Sequence, residues 1–446
     1  MSCINVAMVG AVDAAKSTLI GVLVNNILDN GNGDARKTIL NLKHEKTSGR
    51  TSSITSHLVL LNGPLPLPED PHPVKSSIEV KTETPNTTTS VRLLDLAGHE
   101  KYLKTTLRGL TQYFPDYALL LIEANRGVTK MTEEHMRICV SLRIPVWICI
   151  TKLDSAEPDK LKITIQSTKL LCKRSRIRFT FPITNRETYT RAAKAYAIDP
   201  LQVAPVIQLS NITGVGIPWV KAFMHSLQKQ SDQDDRVDKF CVERDVQKLF
   251  FIYRPYLVPG VGHVVYGIMK HGELHKGDTI KVGPIHKKYH NVKIRSIHNQ
   301  HCEPVDVLKS GESGCFAIRI IDRRGIVLDK SILKNGRVLI DKHVLIRRIK
   351  VNVSVLGHSG TIQKGYQPHI HCANVAINSH VEEIDIQNAT ETSLNCMRVG
   401  DRGIITFRLM SAQFVYPGAR LVFRDGRIKG IGIVEEVVDD ENSMDG

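Results

Sequence analysis

The chain has 446 residues, more than one hydrophobic core usually organises, so two to four domains are expected, three being the first count. Hydrophobic residues make up 42% and charged residues 24%, the balance of a soluble folded protein, which excludes global disorder. Lys and Arg outnumber Asp and Glu by 60 to 45, and the net charge of +15 points toward a polyanionic partner, with a generic basic surface as the alternative. The basic residues cluster at Lys173, Arg174, Arg176 and Arg178, at Lys287, Lys288, Lys293 and Arg295, and at Arg347, Arg348 and Lys350. The nine cysteines form no C-x-x-C pair, so the pattern suggests neither a zinc site nor a disulfide framework and fits a reducing compartment.

The apolar start, Ile4 to Val9, is too short for a membrane span and lacks a cleavage-site pattern, so it reads as a buried strand of a cytoplasmic protein rather than a signal peptide. A helix is expected over Ser17 to Leu28, then strands at Val91–Leu94, Tyr117–Glu123 and Val146–Ile150. Strands alternating with helices through about residue 220 imply a mostly parallel sheet with helices on both faces. The Pro-rich stretch PLPLPEDPHP reads as a surface loop, and the polar run QKQSDQDDRVDK at 228–239 as a linker. Beyond it, short alternating strands punctuated by glycine, as in VPGVGHVVYG and KGDTIKVGP, point to antiparallel barrels or sandwiches. The expected fold is thus an α/β domain with a mixed, mostly parallel sheet over 1–235, followed by two antiparallel β-barrel domains over 236–340 and 341–435. Residues 436–446 read as a solvated acidic tail.

After the first strand comes Gly10-Ala-Val-Asp-Ala-Ala-Lys-Ser-Thr18, close to G-x-x-x-x-G-K-[ST]. In that motif the loop amides, here Asp13, Ala14, Ala15, Lys16, Ser17 and Thr18, cradle phosphates at a helix N-terminus. The lysine reaches the β/γ oxygens and the hydroxyl of Ser17 binds Mg²⁺. Ala15 stands where the pattern has glycine, and its Cβ would crowd the phosphates. Alone, the segment is as readily an ordinary strand–turn–helix. The rest of the constellation decides. Asp95, at a strand end, can hold Mg²⁺ through water, and Gly98 can offer its amide to a γ-phosphate. Thr151, Lys152 and Asp154 follow the buried strand VWICI, where Asp154 would accept the N1–H and N2–H of guanine, a donor pair adenine lacks. Ser210, Asn211 and Ile212 follow PVIQL and finish the base pocket with backbone amides. All four contacts lie at carboxyl ends of strands, where open α/β sheets bind ligands, and the ligand expected is GTP or GDP rather than ATP.

At these residues the chain resembles the translational GTPases of the elongation factor Tu type, and within them the GTP-binding protein 1 group. That group carries V-D-A-G-K-S-T, S-G-R-T-S-S and D-L-A-G-H-E-K-Y-L-K-T-T, compared with VDAAKST at 12–18, SGRTSS at 48–53 and DLAGHEKYLKTT at 95–106. VPGVGHVVYG, GYQPHIHC and RLVFRDGRIKGIGIV extend the resemblance into the second and third domains. The resemblance implies that Thr51 joins Ser17 on Mg²⁺ in the GTP state, that Gly98 senses the γ-phosphate, and that His99 positions the attacking water. The segment around Thr51 would be the first switch and the one beginning at Gly98 the second. It also implies a monomer with an RNA-containing partner, aminoacyl-tRNA and the ribosome, and no membrane partner.

Two further departures bear on control. Thr151 stands where many GTPases have Asn, and Arg50 stands where elongation factor Tu has Ile in an apolar gate whose other half, Val12, is kept. Two readings from different classes therefore remain. One is an active GTPase serving tRNA delivery or mRNA surveillance, and the other a nucleotide-binding scaffold with a degenerate P-loop. The large subunit of a sulfate-activating enzyme shares the three-domain plan, but SGRTSS fits the other group better.

Overall fold

The computed structural model describes residues 3–40, 51, 54–62, 88–229, 232–321, 332–333, 336–356, 361–386, 396–425 and 427–439. Arg50 of the gate and the Pro-rich stretch lie outside the described residues. The chain divides into two compact units, residues 1–110 with 114–229, and residues 111–113 with 230–446. Among the described residues no helix is long and apolar enough to cross a membrane.

The first unit is built on strands β1 (Ile4–Gly10), β2 (Thr55–Leu61), β3 (Thr89–Asp95), β4 (Tyr117–Glu123) and β5 (Val146–Thr151), a short pair β6 (Arg178–Phe179) and β7 (Val203–Ala204), and β8 (Val206–Gln208). Six of them form one sheet in the order β2-β3-β1-β4-β5-β8. Only β2 runs antiparallel to its neighbour. β1 and β5 are buried along their whole length, which is why they read as continuous apolar runs rather than as alternation. Helices α1 (Lys16–Asn25), α2 (Asp34–Lys37), α3 (Leu103–Gln112), α4 (Lys130–Ser141), α5 (Pro158–Arg174), α6 (Arg186–Ile198) and α7 (Ile217–Ser226) connect the strands. Trp147 and Phe223, both fully buried with ring centroids 5.0 Å apart, anchor one face of the core. The chain leaves β1 for β3 on one side and then crosses to β4 on the other, so the order reverses at the carboxyl end of β1. A crevice opens at that point, and it is where such sheets take ligands.

The second unit begins with helix α8 (Asp232–Glu243), which corrects the linker reading of this polar run. Val237, Phe240 and Cys241 are buried on it. Three apolar positions were too few to stand out among so many charges, yet they suffice to dock a helix of three turns. Strands within 249–340 form a six-stranded antiparallel barrel, closed by the pairing of Thr279–Ile285 with Lys288–Asn299, with Pro304–Val305 added at one edge. A second closed barrel of six strands runs from Ile346–Val355 to Arg427–Asp439. Closure leaves neither barrel with a free sheet edge to protect. Phe414 packs on Phe240 and Phe251, from α8 and the first barrel, at centroid distances of 6.0 and 5.7 Å. The final strand reaches Asp439, which corrects the tail reading at 436–439. Glu436 pairs with Lys350 at 2.7 Å, so this acidic residue of the run is held by a neighbouring strand.

Candidate nucleotide-binding site

β1 ends at Gly10, where φ is 148° and a Cβ would lie 2.5 Å from the carbonyl oxygen of Leu121 in β4. Only glycine fits so close to a neighbouring strand. Asp13 and Ala15 follow with φ of 65° and 63°, and Lys16 starts α1. Left-handed residues leading into a right-handed helix turn successive N–H groups to one side, which makes an anion-binding concavity at the positive end of the helix. Asp13, Ala15, Lys16, Ser17 and Thr18 line an open cleft there, with Thr51, Gly98 and His99 opposite. Ala14 points into the core instead, 2% exposed.

Lys16 is buried, and its Nζ donates to the carbonyls of Gly10 at 3.0 Å and Ala11 at 2.7 Å. Burial lowers its pKa to about 8, against the opposing pull of Asp95 and Asp13. Gly98 closes over this lysine. A Cβ there would strike Lys16 Nζ and lie 2.7 Å from Gly10 O, so the D-L-A-G segment approaches the loop as closely as backbone permits. Thr106, on α3, fixes the segment by donating its hydroxyl to Ala97 O at 2.7 Å.

Ser17, Thr51 and Asp95 converge from α1, the 51 segment and the end of β3. Ser17 Oγ donates to Asp95 Oδ2 at 2.6 Å, Thr51 Oγ1 donates to the same oxygen at 3.0 Å, and the two hydroxyls are 2.8 Å apart. Asp95 is wholly buried. Two hydroxyls and a carboxylate are hard oxygen donors, and two to three protein oxygens with the remainder from water and phosphate is the donor set Mg²⁺ takes. These residues fit the ion. His99 is exposed beside them. Its Nδ1 accepts from Lys101 N at 3.1 Å, and its ring lies edge-on to Tyr102 at 6.1 Å.

The base half is assembled by the parallel register of β5 and β8, which sets Ile150 opposite Gln208. Asp154 Oδ1 accepts from Ser210 Oγ at 2.5 Å, and the same Ser210 oxygen accepts from the amides of Ile212 and Thr213, each at 3.1 Å. Asn211 is buried, and its carbonyl accepts from Asp29 N at 2.9 Å. Lys152 has φ of 62° and pairs with Glu123 at 3.2 Å. Thr151 is fully buried and donates to Ala14 O at 3.3 Å, so this departure from Asn still ties the base loop to the phosphate loop. Every residue expected at the site from sequence lies on this one edge of the sheet.

Three participants were missed. His135, on α4, lies beneath the loop and accepts from Gly10 N through Nδ1 at 3.2 Å; burial, helped by Lys16, pushes its pKa down to about 3, so it stays neutral and keeps accepting. A lone histidine in a helix carries no sequence signal for this. Asp29 and Arg36 flank the cleft, and the turn-rich D-N-G-N-G run was the available hint.

The elongation factor Tu GTP binding domain matches residues 1–249, and elongation factor Tu domain 2 matches residues 262–327. The chain belongs to the elongation factor Tu family of GTP-binding proteins. It is 30% identical over 450 residues to GTP-binding protein 1 of Xenopus laevis, covering 99% of this chain and 64% of that one. It is also 30% identical over 444 residues to human GTP-binding protein 2, covering 97% and 69%. The chain therefore spans about two thirds of the length of these relatives. Translation elongation factor SelB of Methanococcus maripaludis, in complex with a GTP analogue, superposes with a TM-score of 0.64 at 19% identity, covering 98% of this chain and 80% of that one.

Within this family framework, Ala15 carries a definite conformational cost, because a non-glycine residue at left-handed φ is disfavoured by about 1–2 kcal/mol. Ala15→Gly is expected to raise the unfolding free energy by about 1 kcal/mol, read by urea denaturation. An unchanged midpoint would place the strain elsewhere.

Proposed function

We propose that this chain is a cytosolic GTPase that binds GTP and GDP with Mg²⁺ and couples hydrolysis to an RNA-containing partner, aminoacyl-tRNA with the ribosome or an mRNA-surveillance complex. The observation that carries the reading is the meeting of Ser17, Thr51 and Asp95 on one carboxylate oxygen. These residues come from three separated stretches of chain, and their donor set suits the ion that accompanies a nucleotide triphosphate. When bound there, Mg²⁺ neutralises charge on the β and γ oxygens.

The chain's own groups do the rest. The amides from Asp13 to Thr18 hold the phosphates, Lys16 reaches the β/γ oxygens, and Thr51 and Gly98 report the γ-phosphate to the two switches. Asp154 accepts from guanine, with Ser210, Asn211 and Ile212 closing the pocket. His99 orients the attacking water after a partner draws it from its exposed resting position. The +15 net charge and the family's barrel domains support an RNA partner. The alternative, a scaffold with little turnover, draws on the strain at Ala15. The meeting of Ser17, Thr51 and Asp95 favours the GTPase reading.

Nucleotide competition tests the ligand. GTP and GDP should displace a labelled guanine nucleotide and ATP should not, whereas Asp154→Asn should shift preference toward xanthine nucleotides; equal competition by ATP would exclude the assignment. Binding should also respond to pH in one direction. Lys16 starts near 8, and a phosphate chain beside it draws its pKa back up toward the ordinary 10.5, so above about pH 8 binding takes up a proton. Affinity should be flat across pH 7 to 7.5 and fall by up to about tenfold per unit above 8. A flat profile to pH 9.5 would mean Lys16 does not meet the phosphates. Finally, His99→Ala should leave GTP affinity within about twofold while lowering partner-stimulated turnover by about a hundredfold or more. Stimulated activity persisting in that variant, with ribosomes and cell extract both tried, would remove His99 from the mechanism.

A further inference from the structure

Arg36 lies in the cleft with Lys16, Ser17, Thr51, Gly98 and His99. It is half-buried, its guanidinium folds over Gly33, and a Cβ there would lie 2.6 Å from Nε. Among the described residues the guanidinium has no hydrogen-bond or ion-pair partner, while the backbone carbonyl of Arg36 accepts from Ile39 N and Leu40 N. The nearest carboxylate in sequence, Asp34, is occupied by Lys37 and by Asn30. A half-buried guanidinium lacking a carboxylate, at the wall of an anion cleft, has no role in holding the fold that its contacts reveal.

The segment that carries it is built. Asp29 is buried, and its carboxylate accepts from the amides of Gly31 at 3.1 Å, Gly33 at 3.1 Å and Ala35 at 2.9 Å, which winds the chain into α2 and fixes the arginine's backbone. The Asp29 amide is itself bonded to Asn211 O in the base loop. Charge balance supplies the reason for a second cation. Lys16 faces two carboxylates, Asp95 and Asp13, so its charge is already answered by the chain, and a triphosphate carries more negative charge than one Mg²⁺ offsets, which leaves an excess for a second side-chain cation. A γ-phosphate adds further negative charge at the side where Thr51, Gly98 and His99 lie.

We propose that Arg36 is a triphosphate-selective binding residue, a cation supplied by the chain itself to the γ-phosphate end of the bound nucleotide, with Asp29 as its positioning residue. The inference rests on the guanine-nucleotide reading above. A guanidinium suits the task because its planar fork meets two phosphate oxygens at once and stays charged at any working pH.

The test measures equilibrium binding of MgGDP and of Mg·GppNHp, a non-hydrolysable GTP analogue, to the full chain and to Arg36→Ala, Arg36→Lys and Asp29→Asn. Arg36→Ala is expected to weaken GppNHp binding about tenfold or more while changing GDP binding less than about threefold, with Arg36→Lys recovering part of the loss. Asp29→Asn should lower the same affinity ratio by a smaller factor. An unchanged ratio in Arg36→Ala, whether both affinities hold or both fall together, overturns the proposal, since a residue that only supports the fold moves both alike. Should Arg36→Ala fail to fold, the ratio in Arg36→Lys decides, and a value equal to the parent's overturns it. If the parent binds neither nucleotide, the guanine-nucleotide reading fails instead.

Discussion

A carboxylate with no access to water has to be answered by donors or by a cation, and Asp95 is such a carboxylate at the inner end of β3. Two hydroxyls answer it, one from the first turn of α1 and one from the 51 segment. That demand organises the first unit. It explains why α1 starts where it does, why Thr51 is drawn against the sheet, and why D-L-A-G follows directly. The next residues of that motif run against the phosphate loop until Gly98 touches Lys16. A single buried charge thus joins the loop after β1, Thr51 and the D-L-A-G segment.

The two departures from the common motif acquire different meanings in three dimensions. Thr151 reaches Ala14 O with its hydroxyl, which ties the end of β5 to the loop after β1. Base and phosphate loops therefore stay coupled through a shorter side chain. Ala15 retains the left-handed geometry that glycine would adopt freely, so its departure is conformational and local.

Much of this was legible in the linear sequence, and the reasons are physical. β1, β4 and β5 are buried on both faces and read as unbroken apolar runs, and the segment at 11–18 and the residues Lys152 and Asp154 sit just past β1 and β5, where strand ends meet loops. What escaped lacked that contrast. β2 is an edge strand with mixed burial, and α8 buries three apolar side chains amid charges. Glu436 hides an acidic residue in a strand by pairing it with a lysine far away in sequence. His135 and Arg36 matter only through where the chain brings them, and no spacing rule encodes that.

The tie between Thr151 and Ala14 also bears on how the site comes into being during synthesis. The loop after β1 and the D-L-A-G segment are both in the sequence by about Gly98, although Gly10 still waits for β4 and His135, whereas Ser210 reaches Asp154 only after β8. At a ribosomal pace of about 5–20 residues per second, the interval between the two is of the order of ten seconds. Throughout it the emerging chain carries Lys16 and Asp95 without the Asp154–Ser210 contact. The Asp154–Ser210 contact forms only when β8 docks at the edge of the sheet, so the last strand of that sheet to be laid down is the one that completes it.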